Sequence, residues 1–308
     1  MHQLHRKKYV EGTVKEVHDP RFKQLVSNNA KLERLASGCL WAEGPVYRAD
    51  VDMFIWSDIP NNRMLCWRAG QVSVFRQPSN YTNGHTLDVY GRLVSCEHGG
   101  RRVTRTEADG SITVLADTYN GKRLNSPNDV VVKSDGSVWF TDPSYGILSD
   151  YEGYQSEMEQ PGCFVYRLEP TTGHLQIVAD DFVKPNGLAF SVDESRLYIA
   201  DSGYSHDENA PHHVRWFKVE DDHLSAGGVF ADIHPGVPDG LRVDVQDNVW
   251  ISAADGVHCY SSEGNLLGKI LVPEVAANLS FGGRRGNQMF ITATTSVYAM
   301  LLGVRGAR

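Results

Sequence analysis

Six segments of one pattern recur along the chain, and a recurring unit of this length constrains the fold more than any single motif. They are EGPVYRADVDMFIWSD from Glu43, NGHTLDVYGRLVSCEH from Asn83, NDVVVKSDGSVWFTDP from Asn128, NGLAFSVDESRLYIAD from Asn186, DGLRVDVQDNVWISAAD from Asp239 and NLSFGGRRGNQMFITAT from Asn278. Each opens on a polar residue, usually followed by glycine, and continues as a short apolar strand. A turn rich in Asp, Gly, Asn or Arg leads to a second strand of aromatic and β-branched residues. The starting points are 40, 45, 58, 53 and 39 residues apart. Such spacings suit a four-stranded unit with insertions in the longer intervals.

Further short strands fill the intervals: RMLCWRA and QVSVFRQ, RRVTRTE and ITVLAD, CFVYRLE and LQIVAD, HHVRWFKV and GGVFAD. Many short strands with regular turns and no long helical periodicity predict an all-β chain. Six units of two inner and two outer strands predict a six-bladed β-propeller with four antiparallel strands per blade, an architecture that limits exposed edges by radial repetition. The sixth unit has only three strands, ending in SVYAMLL. A spare strand, KLERLASG at 31–38, precedes the first unit. It is expected to supply the missing outer strand of the last blade. The domain reading is an N-terminal extension, 1–30, with a short helix near Arg21–Asn28, followed by one propeller domain, 31–308.

Of the 308 residues 41% are apolar and 22% charged, enough apolar content to exclude general disorder. The net charge of −8 argues against nucleic acid as a partner, because phosphate binding needs a basic face. No apolar run approaches the roughly 20 residues that span a bilayer, so no membrane is expected. The N-terminus has basic residues without an apolar stretch behind them. A soluble, cytoplasmic protein is therefore the default, with a periplasmic or exported one as the alternative if a leader has been removed. Five widely spaced cysteines without a C-x-x-C pair argue against a disulfide framework or a Cys-rich zinc site.

The innermost strands of a propeller line a central tunnel, so the residue opening each one stands at one mouth of it. Here those residues are Glu43, Asn83, Asn128, Asn186, Asp239 and Asn278. Turn preference explains Asn and Asp at such positions, but not Glu. Carboxylates and amide carbonyls converging on one axis suit a hard cation. Ca²⁺, with six to eight oxygen ligands, is the first expectation, and Zn²⁺, Mg²⁺ and Mn²⁺ are alternatives. Glu43 and Asp239 would balance its charge, with Asn128 and Asn186 adding neutral oxygens. The second strands end at the same edge in Ser57-Asp58, Glu97-His98, Thr141-Asp142-Pro143, Ala200-Asp201-Ser202 and Ala254-Asp255. Glu97, His98, Asp142 and Asp201, with His85 and Tyr145 nearby, are therefore candidates for contact with a polar ligand.

The segments WAEGPVY, NSPNDVVV, KPNGLAF, YIADS and VPDGLRVD resemble the gluconolactonase, regucalcin (senescence marker protein) and diisopropyl-fluorophosphatase-like superfamily, from about Leu35 to Met300. CEHGGRRVTR and TDPSYG look most like its bacterial gluconolactonase branch. The resemblance implies a six-bladed propeller with a divalent metal, usually Ca²⁺, at the tunnel mouth. It implies Glu43, Asn186 and Asp239 as metal ligands, Asn128 as a ligand of metal or substrate, and Asp239 as general base or nucleophile. Regucalcin-like members carry Arg two residues before this Asn. Here Ser126 stands there, with Arg123 and Asn125 near, so the substrate pocket is not carried over in detail.

The function expected is metal-dependent hydrolysis of a sugar lactone, glucono-1,5-lactone or a related aldonolactone, by a monomer or homodimer. A phosphotriesterase or other esterase at the same metal, or a non-catalytic calcium-binding propeller, are the alternatives. No G-x-S-x-G or Walker loop supports a serine hydrolase or nucleotide enzyme. The histidines of SHDENAPHH (His206, His212, His213) read as a surface loop. The acidic insertion DYEGYQSEMEQ, 150–160, reads as a loop or lid flanking the mouth. Sequon triplets begin at Asn80 and Asn278.

Overall fold

The computed structural model describes residues 8–307; the first seven residues of the expected extension, and Arg308, lie outside the described residues. Six antiparallel sheets follow one another along the chain and form the blades of a six-bladed propeller. Their innermost strands are Ala42–Arg48, Thr82–Leu87, Val130–Val132, Pro185–Phe190, Leu241–Val243 and Ala276–Gly282, here blades one to six. In blades one to five, each sheet runs outward in sequence order through its next three strands. The last blade departs from that order as expected. Its third strand, Ser296–Leu301, pairs with Glu33–Ser37 from the N-terminal side, Ser296 opposite Ser37 and Val297 opposite Ala36. Ring closure is thus a hydrogen-bonded ladder between the two ends of the chain.

Upstream of that strand, Lys8–Tyr9 pairs with Glu33–Ser37, and Lys15–Val17 pairs with the outer strand Leu266–Leu271 of blade five. Blades five and six so gain a fifth strand each. A single helical turn, Phe22–Leu25, buries Phe22 and Leu25 against Trp250, Ile270 and Leu302. Among the described residues no helix is long and apolar enough to cross a membrane.

The second strands are buried along nearly their whole length, because neighbouring blades cover both faces. Trp56, Trp139, Tyr198, Trp250 and Phe290 come from five of them and are fully buried. Each large aromatic removes on the order of 200 Å² from water, roughly 5 kcal/mol of transfer free energy before the entropy of ordering. Two of the indoles also satisfy their N–H groups, Trp139 on Ser137 Oγ and Trp250 on Asp244 Oδ2, both at 2.9 Å. All five cysteines are buried free thiols.

Candidate active site

The glycine that follows most of the repeat-opening residues has a physical cause at the hub. Gly187 N–H donates to Asp239 O of the next blade at 3.1 Å, and a methyl group on Gly187 would lie 2.3 Å from that oxygen. Gly84 donates to Asn128 O at 2.8 Å and Gly240 to Ala277 O at 2.8 Å. Blades two, four and five thus hang their inner strands on the next blade's backbone, and at these three positions only a residue without Cβ fits the gap. That contact fixes the residue before each glycine at the tunnel mouth.

The ring residues are held in place by partners from other elements. Glu43 Oε2 accepts from Gly44 N at 2.6 Å and from Asn278 Nδ2 at 3.2 Å. Asn186 Nδ2 donates to Ser202 Oγ at 3.1 Å, and Ser202 Oγ–H donates to Pro238 O, one residue before Asp239. Asn83 Nδ2 lies 3.2 Å from His98 Nε2, and His98 Nδ1 lies 3.2 Å from Glu152 O. The amide donates to one ring nitrogen, so the other carries the proton and donates to the carbonyl. Asn83 Oδ1 is buried without a partner. Glu43, Asn83, Asn128, Asn186 and Asn278 are buried, and Asp239 is half-buried.

Burial pushes the Glu43 carboxyl up to about 8, and the charges of Asp129 and Glu152 push the same way. Asp239 is raised well above the carboxylate range, first by burial and then by Glu43, Asp129 and Glu152; its hydrogen bond with Asn186 opposes the shift. Buried carboxyl groups whose charges are disfavoured by burial and by neighbouring acids form a site that gains from an added cation. The guanidinium beside Asp129 is already engaged, since Arg242 Nη1 bonds Asp129 Oδ2 at 3.3 Å and Leu241 O at 2.7 Å. Among the described residues no three His, Cys, Asp or Glu side chains cluster as metal ligands, so amide oxygens must complete any set here. Two carboxylates, the amides of Asn128 and Asn186 and the orphaned Asn83 oxygen are all hard donors. They fit Ca²⁺ or a similar ion better than zinc.

The acids that end the second strands are engaged inside their own blades. Asp142 Oδ2 accepts from Asn125 N at 2.8 Å, and Asp201 accepts from Val183 N at 3.0 Å and Lys184 N at 2.9 Å. Glu97 takes Arg102 Nε at 2.7 Å and Thr104 Oγ1 at 3.0 Å. Each carboxylate pins a loop or strand of its blade. His85 is locked between Ser57 Oγ and Ser95 Oγ, both at 2.8 Å, and burial drives its pKa down to about 3. With both ring nitrogens bonded, His85 supports the hub from beneath. His98 stands behind Asn83 as its positioning group. Tyr145 lies close enough to Asp239 for that charge to raise the phenol's pKa, after the larger effect of burial. Its hydroxyl is 3.2 Å from Ser205 Oγ, and Lys184 Nζ sits 5.2 Å from its ring centre. The structure therefore brings Glu43, Asn128, Asn186 and Asp239 to one ring with Tyr145 beside it. It sets His85, Glu97, Asp142 and Asp201 behind that ring.

Sequence reasoning left Asp129, Arg242 and Glu152 out of the site. Asp129 had a signal: it occupies the position where four of the other repeats have glycine. Glu152 lay in the acidic insertion expected to flank the mouth, without being singled out in it; Arg242 had no signal, because its role depends on which blades meet. The Asn278 sequon is buried, with its amide on Glu43.

The chain belongs to the SMP-30/gluconolactonase/LRE-like family, whose model matches residues 41–295. It is 32% identical to a gluconolactonase of Zymomonas mobilis, over 90% of this chain and 83% of that protein. It superimposes on a gluconolactonase from Xanthomonas campestris with a TM-score of 0.90 and 35% identity, covering 96% of this chain and 97% of that one. A pentonolactonase of Haloferax volcanii is 25% identical over 83% of this chain and 82% of its own length.

Proposed function

We propose that this protein hydrolyses a sugar lactone, glucono-1,5-lactone or a related aldonolactone, at the mouth lined by Glu43, Asn128, Asn186 and Asp239. One observation carries the reading: Glu43 and Asp239 are both raised by burial and by neighbouring carboxylates, Glu43 acting on Asp239, at a site whose nearby guanidinium is already paired. The named lactone hydrolases among its relatives supply the substrate class. Glu43, Asn128, Asn186 and Asp239 would hold one divalent cation, with Ca²⁺ expected. Such a cation supplies Lewis-acid polarisation of the lactone carbonyl.

The residues of the chain do the rest. Asp239, the most accessible of the ring carboxyls, would be ionised once a bound cation offsets the burial and the neighbouring acids that raise its pKa. It then accepts a proton from water as the water oxygen adds to the carbonyl carbon. The bond from that carbon to the ring oxygen then breaks, and the ring oxygen leaves as a hydroxyl, taking the proton back. Asn186, fixed by Ser202, keeps Asp239 oriented. Tyr145 and Asn128 border the opening and contact the sugar. His98, from behind, holds Asn83. A rim of hydroxyls, amides and carboxylates suits a polyol better than an apolar ester.

The test is proton release from glucono-1,5-lactone by protein stripped with EDTA, with Ca²⁺, Mg²⁺, Mn²⁺ and Zn²⁺ added back. Turnover restored by a cation and lost by a factor of about 100 or more in Asp239→Asn supports the reading. A rate no faster than the spontaneous one, with cation bound, discards it. Full rate and full cation occupancy in Asp239→Asn removes that residue from the assignment.

A further inference from the structure

The insertion between the second and third strands of blade three is a built wall of the site. Gly153 packs so tightly on the Tyr145–Leu148 turn that a methyl group on it would lie 2.1 Å from Gly146 O. Ser156 N donates to Ile147 O at 3.0 Å, and Ser156 Oγ accepts from Arg101 Nη1 at 3.1 Å. Gln160 Nε2 donates to the carbonyls of Tyr119, Lys122 and Arg123 at 3.0–3.2 Å. Tyr154 packs edge-on against Tyr81 of blade two, with ring centres 5.3 Å apart. These contacts hold one acidic side chain at the ring. The Glu152 backbone carbonyl is bound to His98, which in turn holds Asn83. Its side chain is 24% exposed and takes no hydrogen bond among the described residues; the neutral His98 ring lies beside it, Nδ1 3.9 Å from Oε2. Its field reaches both Glu43 and Asp239. At the same place the buried Asn83 Oδ1 has no donor.

A partly exposed carboxylate that accepts nothing from the protein leaves acceptor capacity beside the ring. Neighbouring hydroxyls of a sugar ring supply the matching donors. We propose that Glu152 is a specificity-determining residue that binds the hydroxyl groups of a polyhydroxylated lactone and selects it over an unsubstituted one. The inference rests on the lactone-hydrolase reading for the reaction, though not for the binding. A carboxylate accepting from a hydroxyl forms a charge-assisted hydrogen bond, whose loss lowers binding by roughly ten- to a hundredfold.

Two measurements on the full chain test it. In Glu152→Ala, the ratio of kcat/KM for glucono-1,5-lactone to that for δ-valerolactone should fall by that factor, mainly through KM, and Glu152→Gln should recover part of it. In calorimetry, 1,5-anhydro-D-glucitol, a ring that cannot be hydrolysed, should bind the parent protein and bind Glu152→Ala about tenfold or more weakly. An unchanged ratio with unchanged polyol binding overturns the proposal. A Ca²⁺ affinity that falls in Glu152→Ala while the ratio holds also overturns it, by assigning the side chain to the cation. If neither lactone is turned over but the polyol binds and depends on Glu152, the binding role stands and the hydrolase reading fails.

Discussion

The Asn278 side-chain amide donates to the Glu43 carboxylate at 3.2 Å, although the two residues stand 235 positions apart in the chain. Blade six thereby orients the carboxylate that opens blade one, at the joint where the ring closes. The same Asn278 accepts from Leu279 N at 2.8 Å through its oxygen, which fixes which way the amide faces. Glu43 consequently presents its remaining acceptor capacity to the tunnel mouth.

Replacing Asn278 with Ala removes the donor that holds Glu43. A hydrogen bond to a charged group contributes about 1.5–3 kcal/mol. Ca²⁺ affinity, titrated calorimetrically on stripped protein, should fall by roughly tenfold or more, and the melting temperature by a few degrees. An unchanged affinity would show that Glu43 needs no such support.

Gly187→Ala puts a carbon 2.3 Å from the Asp239 carbonyl oxygen. The hub must spread or lose the bond from residue 187 to that oxygen. Overpacking of this kind destabilises by about 1–3 kcal/mol. Thermal unfolding should show a drop of several degrees, and lactone turnover should fall more steeply than stability because the displaced residue is Asp239. A variant with unaltered melting and activity would mean the hub yields freely.

Asp129 is buried and its charge is met by Arg242 at 3.3 Å. Arg242→Met leaves a carboxylate in the tunnel without its counter-charge, a change that typically destabilises by about 3 kcal/mol. Adding Asp129→Asn should restore most of the loss. Urea unfolding of the two variants measures this. A double variant no more stable than the single one would place the role of Arg242 elsewhere.

Two buried groups set opposite pH dependences. His85 is held near 3, below its unfolded value of about 6.5, so its contribution is present above that value and is lost as pH falls toward 3. Asp142 is raised to about 7 by burial, so its contribution is complete below its unfolded value and is lost as pH rises toward 7. Relative to Asp142→Asn, the parent protein should lose about 1.4 kcal/mol per pH unit between roughly pH 4 and 7. Relative to His85→Gln, it should lose a similar amount per unit as pH falls below about 6.5. Urea midpoints across pH 4–8 read both slopes. A parallel pair of curves for parent and Asp142→Asn would show that Asp142 ionises normally.

The sequence determined the blades, the closure and the ring, because each of these is written in local pattern repeated six times. The repeat places a polar residue and a glycine at the start of every inner strand, and rotation about one axis then brings those starts together. The three-stranded last unit and the spare strand before the first likewise fixed how the ring closes. The tertiary structure decided what the pattern cannot encode. Glu97, Asp142 and Asp201 end their strands at the right edge, yet their carboxylates serve their own blades, since burial rewards an acid for meeting a donor close by, a backbone N–H for Asp142 and Asp201 and the Arg102 and Thr104 side chains for Glu97. Asp129 and Arg242 meet across 113 positions. Glu152 reaches the mouth only because an insertion folds against the Tyr145–Leu148 turn. Those contacts join segments with no shared period, and only the packing of blade against blade and loop against turn selects them.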